Sequence, residues 1–291
     1  MRRSMLFLPG NTPNMLINGY CLGADSVIFD LEDAVSPAEK DAARLLVRNT
    51  IRYMDFGKCE LIVRINSIDT PYWKEDLQAI MPYQPSLVLL PKTSSPADVL
   101  EADAYMTQLE EQLGLDQNTV GIMALIETAL GVENSFAIAC SSQRVKALFL
   151  GAEDLTADLR CVRTKEGREI EYARTRLVVA ARAAGVSVYD TPFTDVNDDE
   201  GIVKDAAYAK ALGFDGKASI SPRHIQAINS VFSPTQKEVD YAYEVMEAIE
   251  LAKSQGKGAI ALHGKMIDAP IVARAQQTIA AAQALGMERS V

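Results

Sequence analysis

Eight short apolar runs, each followed by a helix-like segment, repeat along the 291 residues. That alternation predicts an α/β fold, a TIM-like (β/α)8 barrel with a C-terminal helical extension. The runs are apolar on consecutive residues rather than on alternate ones, which suits parallel strands covered on both faces. An open, doubly wound sheet predicts a glycine-rich phosphate loop after an early strand. Pro9-Gly-Asn-Thr-Pro13 matches neither the dinucleotide fingerprint nor the P-loop. With 48% hydrophobic residues and a mean hydropathy near zero, the chain can bury a large core.

The amino terminus, Met1-Arg-Arg-Ser-Met-Leu-Phe-Leu-Pro-Gly10, starts with basic residues as a signal peptide does. Pro9 and Gly10 cut its apolar run short, so it reads as a first strand ending near Leu8. The other strands end near Asp30, Ile65, Leu90, Ile126, Gly151, Asp190 and Ile220. Ser36 reads as an N-cap, with Pro37 at the first helical position and Glu39 three residues after the cap, opening a helix over 38–53. Helical patterning recurs at 96–113, 172–184 and 198–212, with Gly114, Gly185 and Gly213 as stops. Beyond the barrel domain, 1–232, the extension 233–291 reads as a long helix over 235–255, a break at Gly256 to Gly258, and an alanine-rich helix over 269–285. A barrel closes without this extension, so it is expected to cap the rim or to reach a neighbouring subunit.

Lysine and arginine total 29 against 39 aspartates and glutamates, a net charge of −10. Such a surface repels nucleic acid and anionic lipid, and no basic run is long enough to reverse that locally. No apolar stretch approaches membrane-spanning length. Cys21, Cys59, Cys140 and Cys161 show no zinc or redox spacing and read as reduced thiols of a cytoplasmic protein. With only His224 and His263 available, any metal is expected to be a hard, oxygen-bound one.

Barrel active sites form at the carboxyl ends of the strands, where several runs here end on charge. Glu127 follows the fifth strand and Asp154 the sixth. Neighbouring strands lie ~5 Å apart, close enough for these two carboxylates to grip one cation, with Mg²⁺ the natural candidate. The residues alone leave a second reading open, in which each acid caps the helix after its strand. Arg64, in Val63-Arg-Ile-Asn66, offers a forked donor for a substrate carboxylate or a developing enolate. It can equally pair with Asp30, Glu32 or Asp33, and the two roles are compatible. Asp30, Glu32 and Asp33 are too many acids for all to be ligands, so they are expected to hold Arg64 and the waters of the metal. Lys92, in Leu90-Pro-Lys-Thr93, ends the fourth strand and either makes the rim electropositive or, on the safer reading, is a solvated rim lysine.

Arg3-Ser-Met-Leu-Phe-Leu-Pro-Gly10, Phe29-Asp-Leu-Glu-Asp-Ala-Val35, Val63-Arg-Ile-Asn66, Leu125-Ile-Glu127 and Gly151-Ala-Glu-Asp154 together resemble the citrate lyase β-subunit family. The resemblance continues through Gly213-Phe-Asp-Gly-Lys217, Ser233-Pro-Thr-Gln-Lys-Glu-Val239 and Gly264-Lys-Met-Ile-Asp268. It implies a Mg²⁺-dependent carbon–carbon lyase, usually homo-oligomeric, that cleaves a citryl thioester into oxaloacetate and an acetyl thioester. The substrate would be linked to an acyl carrier protein or to CoA, and the partners would be the citrate lyase α and γ (acyl carrier) subunits. The resemblance assigns the metal to Glu127 and Asp154, with Glu127 also beside the substrate. It assigns substrate contact and catalysis to Arg64, and a catalytic role to Asp268 reaching in from an adjacent subunit. Read from the residues, Asp268 is a helix N-cap with Pro270 just inside the helix.

Where relatives commonly have histidine or asparagine before a proline, this chain has Ile220-Ser221-Pro222, so Ser221 is given no thioester contact. The basic cluster Arg160, Arg163, Lys165 and Arg168 is the best docking patch for an acidic carrier, against a reading as ordinary solvated loop. Two other functions stay open: a stand-alone lyase or thioesterase for another short hydroxyacyl-CoA such as malyl-CoA, and a non-catalytic scaffold or regulatory barrel.

Overall fold

The computed structural model describes residues 1–254 and 260–290. Eight parallel strands close into a barrel in chain order: β1 (Ser4–Pro9), β2 (Ser26–Asp30), β3 (Glu60–Arg64), β4 (Leu87–Leu90), β5 (Gly121–Ile126), β6 (Val145–Leu150), β7 (Ser187–Asp190) and β8 (Gly216–Ser219), with β8 pairing back onto β1. Each strand end lies within one residue of its expected position. The helices around them are α1 (Pro13–Asn18), α2 (Lys40–Tyr53), α3 (Trp73–Ile80), α4 (Pro96–Leu113), α5 (Ala129–Ala139), α6 (Ala152–Asp158), α7 (Glu171–Ala184), α8 (Asp199–Leu212) and α9 (Ile225–Phe232).

The barrel interior is filled by Met5, Ile28, Ile62, Leu89, Met123, Leu125 and Phe149, with Tyr189 and Ala218 completing the layer. On β2, β4 and β5 every residue is buried, so both faces of those strands are dry and the sequence runs apolar with little alternation. All six residues of β5 are buried. Helix ends follow local chemistry. Ser95 and Asp98 form a reciprocal capping box that starts α4 with Pro96 just inside it. Gly114, Gly185 and Gly213 stop α4, α7 and α8 in the left-handed region, where a β-carbon would be strained.

One expected start is corrected. Ser36 opens a 3-10 turn, Pro37–Glu39, rather than an α-helix. Its side chain caps no backbone N–H; its hydroxyl donates to the Glu39 carboxylate at 3.2 Å, and α2 begins only at Lys40.

Contacts divide the chain into Arg2–Ser230, the barrel, and a second unit, Val231–Val291, with which Met1 clusters. In the second unit α10 (Gln236–Ser254) packs on α11 (Ala269–Ala284) around Ala242, Val245, Ile267 and Ala275. Between them a hairpin pairs β9 (Ile260–Leu262) with β10 (Lys265–Ile267) antiparallel. Its two-residue turn, His263 and Gly264, has positive φ at both positions, the geometry that joins tightly twisted strands. No strand was expected there, and the expected break at Gly256 to Gly258 lies outside the described residues. Among the described residues no helix is long and apolar enough to cross a membrane.

Candidate active site

A cavity of about 410 Å³ opens at the carboxyl ends of the strands, lined among others by Asp30, Asp33, Arg64, Glu127, Glu153 and Asp154. β2 delivers Asp30 as its last residue, and the paired register sets it beside Arg64 at the end of β3. Arg64 grips it with one edge of its guanidinium, Nε to Oδ1 at 2.7 Å and Nη2 to Oδ2 at 2.6 Å. Asp30 is itself fixed by the backbone N–H groups of Glu32 at 2.9 Å and Ala34 at 3.3 Å. The remaining Arg64 nitrogen, Nη1, lies 3.1 Å from Glu32 and 3.6 Å from Asp33, and the guanidinium stacks 5.1 Å above the Phe7 ring. Burial works against the charge on Arg64, but the three acids outweigh it and hold the group protonated. The arginine is thus both ion-paired and on the cavity wall, as its two compatible roles require.

Glu127 is only 2% exposed. Its Oε1 accepts the backbone N–H of Lys92 at 2.6 Å. Its Oε2 lies against Gly151, where an added β-carbon would stand 2.6 Å away. Burial, then the charges of Glu32 and Asp154, push this carboxyl up to about 9, against smaller opposing effects of the Lys92 N–H and Arg64. The helix-cap alternative fails for Glu127, because Thr128 is the N-cap of α5 and its hydroxyl accepts the Gly131 N–H at 3.0 Å. Asp154 sits in the first turn of α6, where the helix N-terminus favours a carboxylate, and it too lines the cavity.

The other two acids differ. Asp33 is exposed and forms part of the cavity wall, whereas Glu32 is 5% exposed and stands behind it. Burial is the first cause that raises the Glu32 carboxyl; Arg64 and Lys92 oppose it. Lys92, at the end of the fourth strand, meets these acids directly rather than standing free in solvent. Its Nζ is 3.1 Å from Glu32 and 4.0 Å from Asp33, its N–H anchors Glu127, and its backbone is left-handed at φ +53°. A cation directly after a strand and a proline was the available signal.

Asp268 belongs to the second unit, where it is the N-cap of α11 and accepts the Ile271 N–H at 3.4 Å. Ser221 likewise caps a turn, accepting the Arg223 N–H at 3.3 Å. Two of the four cations in the basic patch are ion-paired. Arg163 pairs with Glu169 at 2.7 Å and Glu153 at 3.5 Å, and Lys165 with Asp195 at 2.6 Å and Asp198 at 3.0 Å. All four cysteines are free thiols.

The donors facing the cavity are carboxylate oxygens, which suits a hard divalent cation rather than a soft one. Among the described residues no three His, Cys, Asp or Glu side chains form a protein-only cage, so such an ion would take further oxygens from water or substrate. Fold and site together define a barrel enzyme that pairs acidic ligand groups with an oriented arginine at its rim. The chain belongs to the HpcH/HpaI aldolase/citrate lyase family, which matches residues 3–222. It is 45% identical over 284 residues to the citrate lyase subunit beta of Leuconostoc mesenteroides subsp. cremoris, covering 98% of this chain and 94% of that protein. It is 33% identical over 301 residues to an L-malyl-CoA/beta-methylmalyl-CoA lyase of Cereibacter sphaeroides, covering 97% and 94%. A solved citrate lyase beta subunit from M. tuberculosis, complexed with oxaloacetate and magnesium, matches with a TM-score of 0.68 and 32% identity over 80% of this chain and 97% of that one.

Proposed function

We propose that this chain is a magnesium-dependent carbon–carbon lyase that cleaves a citryl thioester into oxaloacetate and an acetyl thioester, working with the other citrate lyase subunits. The observation that carries the reading is the convergence of Glu127, Asp154 and Arg64 on one rim cavity. The higher identity to a citrate lyase subunit than to a malyl-CoA lyase favours citrate-type over malate-type substrate. Glu127 and Asp154 would hold the ion. When bound, magnesium supplies Lewis-acid charge to the substrate's hydroxyl and adjacent carboxylate oxygens. In the cleavage the hydroxyl loses its proton, its carbon becomes the ketone of oxaloacetate, and the electron pair of the broken carbon–carbon bond passes to the acetyl thioester as an enolate. Arg64, held by Asp30, offers fixed positive charge where that negative charge develops. The enolate carbon then takes a proton, for which Asp268, contributed by an adjacent subunit of a homo-oligomer, is the proposed donor.

The test follows oxaloacetate and glyoxylate release by the purified protein with Mg²⁺, supplied with citryl-CoA or malyl-CoA. Oxaloacetate from citryl-CoA is the expected product. Glyoxylate from malyl-CoA alone would assign the malyl reaction instead, and no cleavage of either thioester would favour a scaffold.

A further inference from the structure

Glu32 is buried with two cations, Arg64 and Lys92, facing its carboxylate. Arg64 Nη1 lies 3.1 Å from Oε2 and acts on it by charge, whereas Lys92 Nζ, 3.1 Å from Oε1, both attracts it and bonds to it. A carboxylate whose bonded partner is one flexible ammonium can turn toward another cation once that ammonium is removed. Lys92 is placed to oppose such a turn. One residue holds both acids, the main-chain N–H on Glu127 Oε1 and the ammonium on Glu32 Oε1, and it reaches them through a left-handed backbone that a lysine seldom adopts.

We propose that Lys92 is a positioning residue whose ammonium holds Glu32 back from the rim cation, so that Glu127 Oε2 and Asp154 remain its ligands and coordination positions stay open for substrate. The inference rests on the magnesium reading above. Its consequence has an unusual sign: removing the ammonium makes the site more negative and frees Glu32, so the variant should bind the ion more tightly while working less well. Loss of a merely structural residue would loosen Glu127 and weaken binding.

The experiment is calorimetric titration of Mg²⁺ into the full chain, wild type against Lys92→Met, Lys92→Arg and Lys92→Gly, with kcat and KM for citryl-CoA measured alongside. The glycine variant removes the ammonium while keeping a backbone suited to φ +53°, so it reads the charge even if the methionine variant folds poorly. Lys92→Met and Lys92→Gly should tighten Mg²⁺ binding on the order of tenfold and lower kcat more than they raise KM, while Lys92→Arg keeps the wild-type affinity. Unchanged or weaker Mg²⁺ binding in the glycine variant, with the wild type binding normally, would overturn the role of Lys92. A wild type that binds no Mg²⁺ would overturn the metal reading, and this inference with it.

Discussion

Glu127 shows how burying one carboxyl can couple its proton to stability. An ordinary glutamate titrates at 4.5, whereas this one is pushed up to about 9. Between those values the metal-free folded chain keeps a proton that the unfolded chain has lost. The contribution of this group to stability is therefore full below about pH 4.5 and declines as pH rises toward 9, by at most ~1.4 kcal/mol per pH unit. Glu127→Gln carries no ionisable proton, so its stability relative to wild type should improve steadily from pH 5 to pH 9 in urea unfolding of metal-free protein. A difference independent of pH would remove Glu127 as the proton's site. The same substitution should abolish Mg²⁺-dependent cleavage. Gly151 tests the space around that carboxylate. A β-carbon there would meet both Oε2 and Cβ of Glu127, at 2.6 and 2.8 Å, so Gly151→Ala should cut turnover more than tenfold while circular dichroism reports an intact fold. Wild-type turnover in that variant would show that Glu127 can move without loss.

At the scale of elements, β7, β8, α7 and α8 are tied by a buried charge cluster just beneath the rim. Lys217 reaches Asp190 and Asp205, both at 2.6 Å, and the Thr191 carbonyl at 2.5 Å; Arg174 meets the same two acids at 2.9 and 2.7 Å. Lys217→Met would leave two buried carboxylates sharing one arginine, a loss of about 3–5 kcal/mol in chemical denaturation. A loss under 1 kcal/mol would mean that the acids neutralise or find water. The strands and their charged ends were legible in sequence because a parallel barrel strand is a continuous apolar run that stops where the chain meets the rim. Glu127, Asp154 and Arg64 could be placed at the rim for that reason, and all three line one cavity there. The hairpin was not legible, since strands of three residues carry too short a pattern to stand out from loop. Lys92 was legible only as a rim cation, because its contacts depend on a left-handed backbone and on what its N–H meets, and neither is written in side-chain type. Ser36 shows the converse, a capping pattern whose residues are present but whose turn is 3-10.

On the scale of the whole molecule, the open question is what Asp268 contributes from the second unit. As the N-cap of α11 it has a sufficient structural reason to be an acid, and the proposed proton exchange in a neighbouring subunit is a second, separate demand on the same carboxylate. The two can be split because asparagine caps a helix about as well as aspartate but cannot exchange a proton at that carbon. Asp268→Asn should unfold within about 0.5 kcal/mol of wild type, and Asp268→Ala should lose about 1 kcal/mol with its cap. If the carboxylate is catalytic, both variants should lose turnover alike, at least a hundredfold, despite their different stabilities. If it is only a cap, the asparagine chain should work as wild type does. Sharing between subunits then has its own signature. Neither Asp268→Asn nor Arg64→Ala is expected to turn over alone, but oligomers reassembled from both contain some sites with an intact Arg64 and an intact Asp268 from different chains. Recovered activity in those mixtures, scaling with the fraction of mixed oligomers, is the expected result; inactive mixtures with proven exchange of chains would confine Asp268 to its own subunit or to its cap.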